Sequence, residues 1–151
     1  MFNFNLQVYV FIIFAMVSGA LMAVQGGMNT GLGKFTGTAG STFLVHLSAA
    51  FIMLMVLLLR IDKANFKNLG RLPWYYFLGG VLGVLITYLV IISMRKLGAG
   101  AATTSIIVGQ VLTACLIDHF GLFSLEKTPF TWLKLLGLFL LAAGAKLLLN
   151  K

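Results

Sequence analysis

At 151 residues, with 60% hydrophobic and 9% charged side chains and a mean hydropathy of +1.04, the chain carries more apolar surface than a soluble core of its size can bury. Composition excludes an ordinary soluble enzyme and places the chain in a lipid bilayer. The net charge of +8 does not point to nucleic acid, because the basic residues do not cluster on a polar face with interleaved aromatics.

A hydrocarbon core of about 30 Å takes about 20 helical residues to cross. The first apolar stretch, residues 8–25, fits that length. Its small residues Ser18, Gly19 and Ala20 would suit a signal-peptide cleavage site, but no Lys or Arg precedes Lys34, so the basic leader such a peptide needs is missing. The stretch is read as a span. Residues 26–33 follow, rich in glycine, and are expected to be a connection in which the helix frays or unwinds. If the helix instead runs on, Gln25 and Asn29, four apart, share a face. If it unwinds, freed amides and carbonyls can line a site.

The second stretch, residues 42–59, carries His46 one turn in, past Ser41 and Thr42. The loop at 60–73 is the most basic of the chain and leads into Pro73-Trp74-Tyr75-Tyr76, a proline suited to a helix start and aromatics suited to headgroup depth. The third stretch, 74–94, holds Gly79 and Gly83 in GxxxG spacing, a helix-packing surface, and Tyr88 at mid-span. In the fourth, 101–120, Gln110 lies near the centre with Thr103 and Thr113 on about the same face. Cys115, the single cysteine, cannot form an intrachain disulfide. Asp118, the only carboxylate inside any predicted span, and His119 end the segment. After a turn at 121–129, Thr128-Pro129 and Trp132 repeat the proline–aromatic pattern. The fifth stretch, 133–149, has Lys134 and Lys146 near enough to its ends to snorkel, and Gly137 and Gly144 a heptad apart as a packing face.

Five spans put the termini on opposite sides of the membrane. With the N-terminus on one side, that side holds Arg60, Lys63, Lys67, Arg71, Lys127 and Lys134, and the other holds Lys34, Arg95, Lys96, Lys146 and Lys151, six against five. The positive-inside rule needs an imbalance to act on. The expectation is an all-α, polytopic, single five-helix domain over 1–151 that inserts both ways up and pairs with its own inverted copy, an antiparallel dual-topology dimer of ten helices. The alternative is one orientation, N-terminus in the cytoplasm, set by the basic loop at 60–71.

The polar side chains at bilayer depth are the candidate functional residues, since each is costly there without a partner or a water-filled cavity. Gln25, Asn29, His46, Tyr88 and Gln110 are the candidates for substrate contact; for the amide and the imidazole the competing reading is an interhelical hydrogen bond that holds the bundle together. Asp118 and His119 are candidates for proton coupling; for Asp118 the competing reading is an ion pair or a bond to loop amides. With three acids and two histidines in all, and no CxxC, HExxH or Walker A pattern, no catalytic residue, metal site or cofactor is expected.

These residues resemble the short, five-helix YdcZ-like family of the drug/metabolite transporter superfamily over nearly the whole chain. The likeness is carried by Gln25-Gly26 with Asn29 and Leu32-Gly33, by Gly79-Gly80 with Gly83, by Leu97-Gly98-Ala99, by Gly109-Gln110, and by Ile117-Asp118-His119-Phe120-Gly121. The segment 137–145 also looks like the dimer-forming last helix of small multidrug resistance transporters. The resemblance implies a multi-pass bacterial inner-membrane carrier whose two halves are inverted relatives: fused, made as two oppositely oriented proteins, or one dual-topology homodimer. One departure matters. Small multidrug resistance proteins use a glutamate in their first helix, and the first span here has no acid, so a carrier of neutral, polar or anionic metabolites is favoured over a proton-driven exporter of bulky cations. The competing functions are a non-transporting assembly or regulatory subunit, one half of a heterodimeric transporter, and a channel; an enzyme ranks last. Expected partners are a small solute, the bilayer and a second copy, with no nucleic acid.

Overall fold

The computed structural model describes residues 6–149, and the side chains of 8–148. Lys151, counted in the charge split above, lies outside the described residues. All regular structure among the described residues is helical: α1 (Leu6–Leu58), α2 (Gly79–Leu97), α3 (Ala99–Phe120) and α4 (Trp132–Leu149), with short 3-10 turns at Leu69–Arg71, Trp74–Leu78 and Leu122–Ser124. Three stretches, Val8–Leu58, Trp74–Leu97 and Ala99–Phe120, are long and apolar enough to cross a bilayer. The chain divides into two compact units, 1–92 and 93–151, with the boundary inside α2.

Apolar side chains surround these helices on all sides, as they do in helices bathed by lipid. The buried apolar residues are few, Ile91, Met94, Ala102 and Ala145, whereas Phe35 is 90% exposed and Trp132 82%. Such a surface is stable only where hydrocarbon or another apolar face covers it.

In the first unit, α1 is two helical arms, 6–36 and 38–58, broken at Gly37, whose φ of 74° and ψ of 165° lie in a region essentially reserved for glycine. The Ser41 hydroxyl donates to the Asn29 carbonyl at 2.8 Å, although residues twelve apart along a straight helix are separated by about 18 Å. The arms therefore fold back on one another. Gly40 tightens the same turn, since a Cβ there would stand 3.0 Å from the Thr36 Cβ.

This corrects the expected connection at 26–33. The helix runs through Gly26 and Gly27 without interruption, and Gly26, Asn29 and Gly33, spaced i, i+3, i+7, form one buried face. The chain does not turn at these glycines; it turns at Gly37. Hydroxyls along the arms bond to carbonyls one turn back, Thr30 to Gly26 at 2.7 Å and Thr42 to Thr38 at 2.9 Å, which hides them from lipid.

The junction between α2 and α3 reuses the device. Gly98 has φ 83° and ψ 164°, a near copy of Gly37, and is again the only residue between two helices. Gly33 and Ser41 lie four residues before and after Gly37 and are buried; Met94 and Ala102 stand in the same relation to Gly98 and are buried too.

In the second unit α3 packs on α4. Gly121, left-handed at φ 64°, ends α3, and its N–H reaches the Asp118 carbonyl at 3.3 Å. Of the glycines expected to pack helices, Gly83 meets a neighbour, while a Cβ at Gly79, Gly137 or Gly144 would find nothing within 4 Å among the described residues.

Candidate solute-binding groove

The two arms of α1 leave an open groove of about 760 Å³ between them. Gln25 and Asn29 line it together, as i, i+4 spacing on an unbroken helix requires, along with Ser18 on the same arm and Ser48 on the other. Leu21, Met22, Met28 and Val45 supply the apolar walls. At 1.5 Å per residue, Ser18 to Asn29 spans about 16 Å of groove, and Gln25 sits about 18 Å along the arm from the Gly37 turn, deep in a hydrocarbon layer about 30 Å thick.

The two carboxamides differ. Gln25 is exposed to the groove, whereas Asn29 is only 8% exposed. The Asn29 backbone carbonyl receives the Ser41 hydroxyl, but its side-chain amide has no hydrogen bond among the described residues. Among the described residues no fully enclosed side-chain N or O is left without a partner, so the Asn29 amide is not fully enclosed and keeps its access to the groove. A buried amide with its donors and acceptor open is a group awaiting a partner.

His46 lies elsewhere. Its Nδ1 sits 2.9 Å from the Thr42 carbonyl, and because a carbonyl only accepts, Nδ1 carries the proton. The other edge of the ring faces α2: Nε2 lies 3.4 Å from where a Gly83 Cβ would be. Sequence reasoning placed His46 in a substrate site and Gly83 in a packing face. The structure brings the two together, with the imidazole within van der Waals reach of the Gly83 position. Tyr88 is exposed on α2 within the first unit, and Gln110 is exposed on α3 in the second.

At the far end of α3, Asp118 and His119 organise the following loop. The Asp118 carbonyl accepts the Thr128 N–H at 2.8 Å, and His119 Nδ1 accepts the Phe130 N–H at 3.0 Å. His119 is therefore protonated on Nε2, the opposite tautomer from His46. Its Nδ1 holds loop backbone. Among the described residues no group of three or more His, Cys, Asp or Glu comes together as a metal site would require.

The family model described as "Putative inner membrane exporter, YdcZ" matches residues 10–147. The chain belongs to this YdcZ family. No curated protein and no solved structure matches it. Within this YdcZ-family chain, Gln25 and Asn29, which carried part of the resemblance, line the groove, and Gly26 and Gly33 share the buried face of Asn29. The family's description is that of a membrane exporter and not of an enzyme.

The Gly37 turn was missed in the sequence because glycine is denser at 26–33. Two signals mark it. Thr36-Gly37-Thr38 places β-branched neighbours of low helix propensity on either side of the glycine. Lys34, the first charged residue, lies just before it and belongs at a membrane surface, which residues 26–33 then cannot occupy alone.

Proposed function

We propose that the protein is a secondary transporter that exports a small solute across the bacterial inner membrane, with the α1 groove as its binding site. The observation that carries this reading is Asn29, a residue more than nine-tenths buried whose carboxamide has no hydrogen bond among the described residues and lines a groove of metabolite size. The family description points the same way.

In this reading the folded-back α1 supplies two crossings and α2, α3 and α4 one each, five in all, as one membrane domain. An odd count with an even charge split suits dual topology, and two inverted copies would form a ten-helix carrier. Rocking one copy against the other would expose the groove to each side in turn. The open face at Gly137 and Gly144 on α4 is where the second copy would pack.

Reconstitution of the full chain in liposomes tests this. A transporter loses solute flux in Asn29→Ala while keeping its helical content and assembly. A non-transporting subunit would show no flux in the native protein, and its Asn29 variant would change stability alone.

A further inference from the structure

We infer that the α1 groove selects an uncharged solute, one whose amide- or hydroxyl-type head both donates and accepts hydrogen bonds and whose body is short and apolar. The inference rests on the groove being the binding site, and it specifies what that site accepts.

The argument begins with the unbonded Asn29 amide. A carboxamide offers two N–H donors and one acceptor oxygen, so a neutral head group with both functions satisfies it from both edges. A carboxylate can use only the donors, and an ammonium only the oxygen. Gln25, one turn away on the same face, offers the same mixed set. The serines add less: the Ser48 hydroxyl already donates to the Val45 carbonyl at 2.9 Å.

Charge sharpens the selection. None of the groove's lining residues is ionisable. In all of α1 the only Lys, Arg, Asp or Glu is Lys34, which is exposed and sits five residues beyond Asn29. That is about 7.5 Å along the axis and about 140° round the helix, on a different face from the amide. His46, the remaining group able to take a charge at this depth, is turned toward Gly83. A charged solute would thus leave water for an apolar cleft with nothing to neutralise it, a loss an uncharged one does not suffer. The flexible thioethers of Met22 and Met28 adapt to an apolar body without fixing its shape.

The test uses the full-length protein in zwitterionic lipid nanodiscs, titrated with hexanamide, hexanoate and hexylammonium, which share a chain length and differ in head-group charge. Hexanamide is expected to bind saturably and each charged probe at least tenfold more weakly. Asn29→Leu is expected to weaken hexanamide about tenfold, the loss of one to two hydrogen bonds. Asn29→Asp keeps the side-chain shape and should turn the preference toward hexylammonium, which keeps the test decisive where the leucine variant does not fold. The inference is overturned if a charged probe matches hexanamide on the native protein. It is equally overturned if hexanamide uptake is no greater than into protein-free discs, or if saturable binding ignores both substitutions. A native protein that binds hexanamide at Asn29 yet moves no solute would retain the inference and lose the transporter reading. Asn29-dependent flux of an ion would do the reverse.

Discussion

Two glycine-to-alanine substitutions ten residues apart should act in opposite directions. At Gly37, with φ 74° and ψ 165°, nothing lies within 4 Å of the Cβ position, so alanine meets no clash and only the backbone conformation is penalised. That conformation costs a residue with a Cβ about 1–3 kcal/mol. At Gly27 the space is also open, but the residue is mid-helix, where alanine is favoured over glycine by about 0.5–1 kcal/mol. The two variants should therefore differ in stability by at least about 1.5 kcal/mol, somewhat more than tenfold in the folded-to-unfolded ratio. Reversible denaturation of the purified full chain from mixed micelles, followed by circular dichroism, measures the difference. If the chain turned at its glycine-dense segment, the order would invert. Gly27→Ala would then destabilise and Gly37→Ala would not, and that result would refute the placement of the turn.

Gly98→Ala should repeat the Gly37 penalty of about 1–3 kcal/mol, because its backbone is nearly the same; the same denaturation assay reads it. Gly83→Leu should cost about 1–3 kcal/mol by overpacking against the His46 ring, 3.4 Å from the Cβ position, and His46→Ala in the same chain should recover part of it, a coupling that a double-mutant cycle reports. Ser41→Ala removes the bond between the arms and should lower stability by about 0.5–1.5 kcal/mol. His119→Leu orphans the Phe130 N–H and should speed hydrogen exchange in the 121–131 loop. If His119 serves only the loop, liposome flux in that variant keeps its pH profile; a shifted profile would assign it to proton coupling instead.

Much of the helical layout is legible in the sequence because it depends on local chemistry. Residues 101–120 and 133–149, expected as spans, are close to α3 and α4, since long apolar runs in lipid must satisfy every backbone group internally. Pro73 before the Trp74–Leu78 turn marks the approach to α2 as expected. The site was legible in part. Gln25 and Asn29 meet in one groove because i, i+4 spacing is a property of the helix itself, but His46 went to Gly83, and neither Tyr88 nor Gln110 lines the groove. Which polar group meets which neighbour depends on where the chain turns, and the turn at Gly37 lies four residues past the 26–33 segment where it was expected.

The sequence by itself determined that this is an apolar, multi-helix membrane chain of the YdcZ family, because hydropathy and motif residues are read one segment at a time. The tertiary structure decided the use of each glycine. At Gly40 a Cβ would stand 3.0 Å from the Thr36 Cβ, while Gly37 and Gly98 hold conformations closed to other residues. Glycine lacks a side chain in every case, and composition cannot say whether the vacancy serves a close approach or a positive φ. That choice follows from what lies across the fold, and in α1 it places the Asn29 amide in the groove.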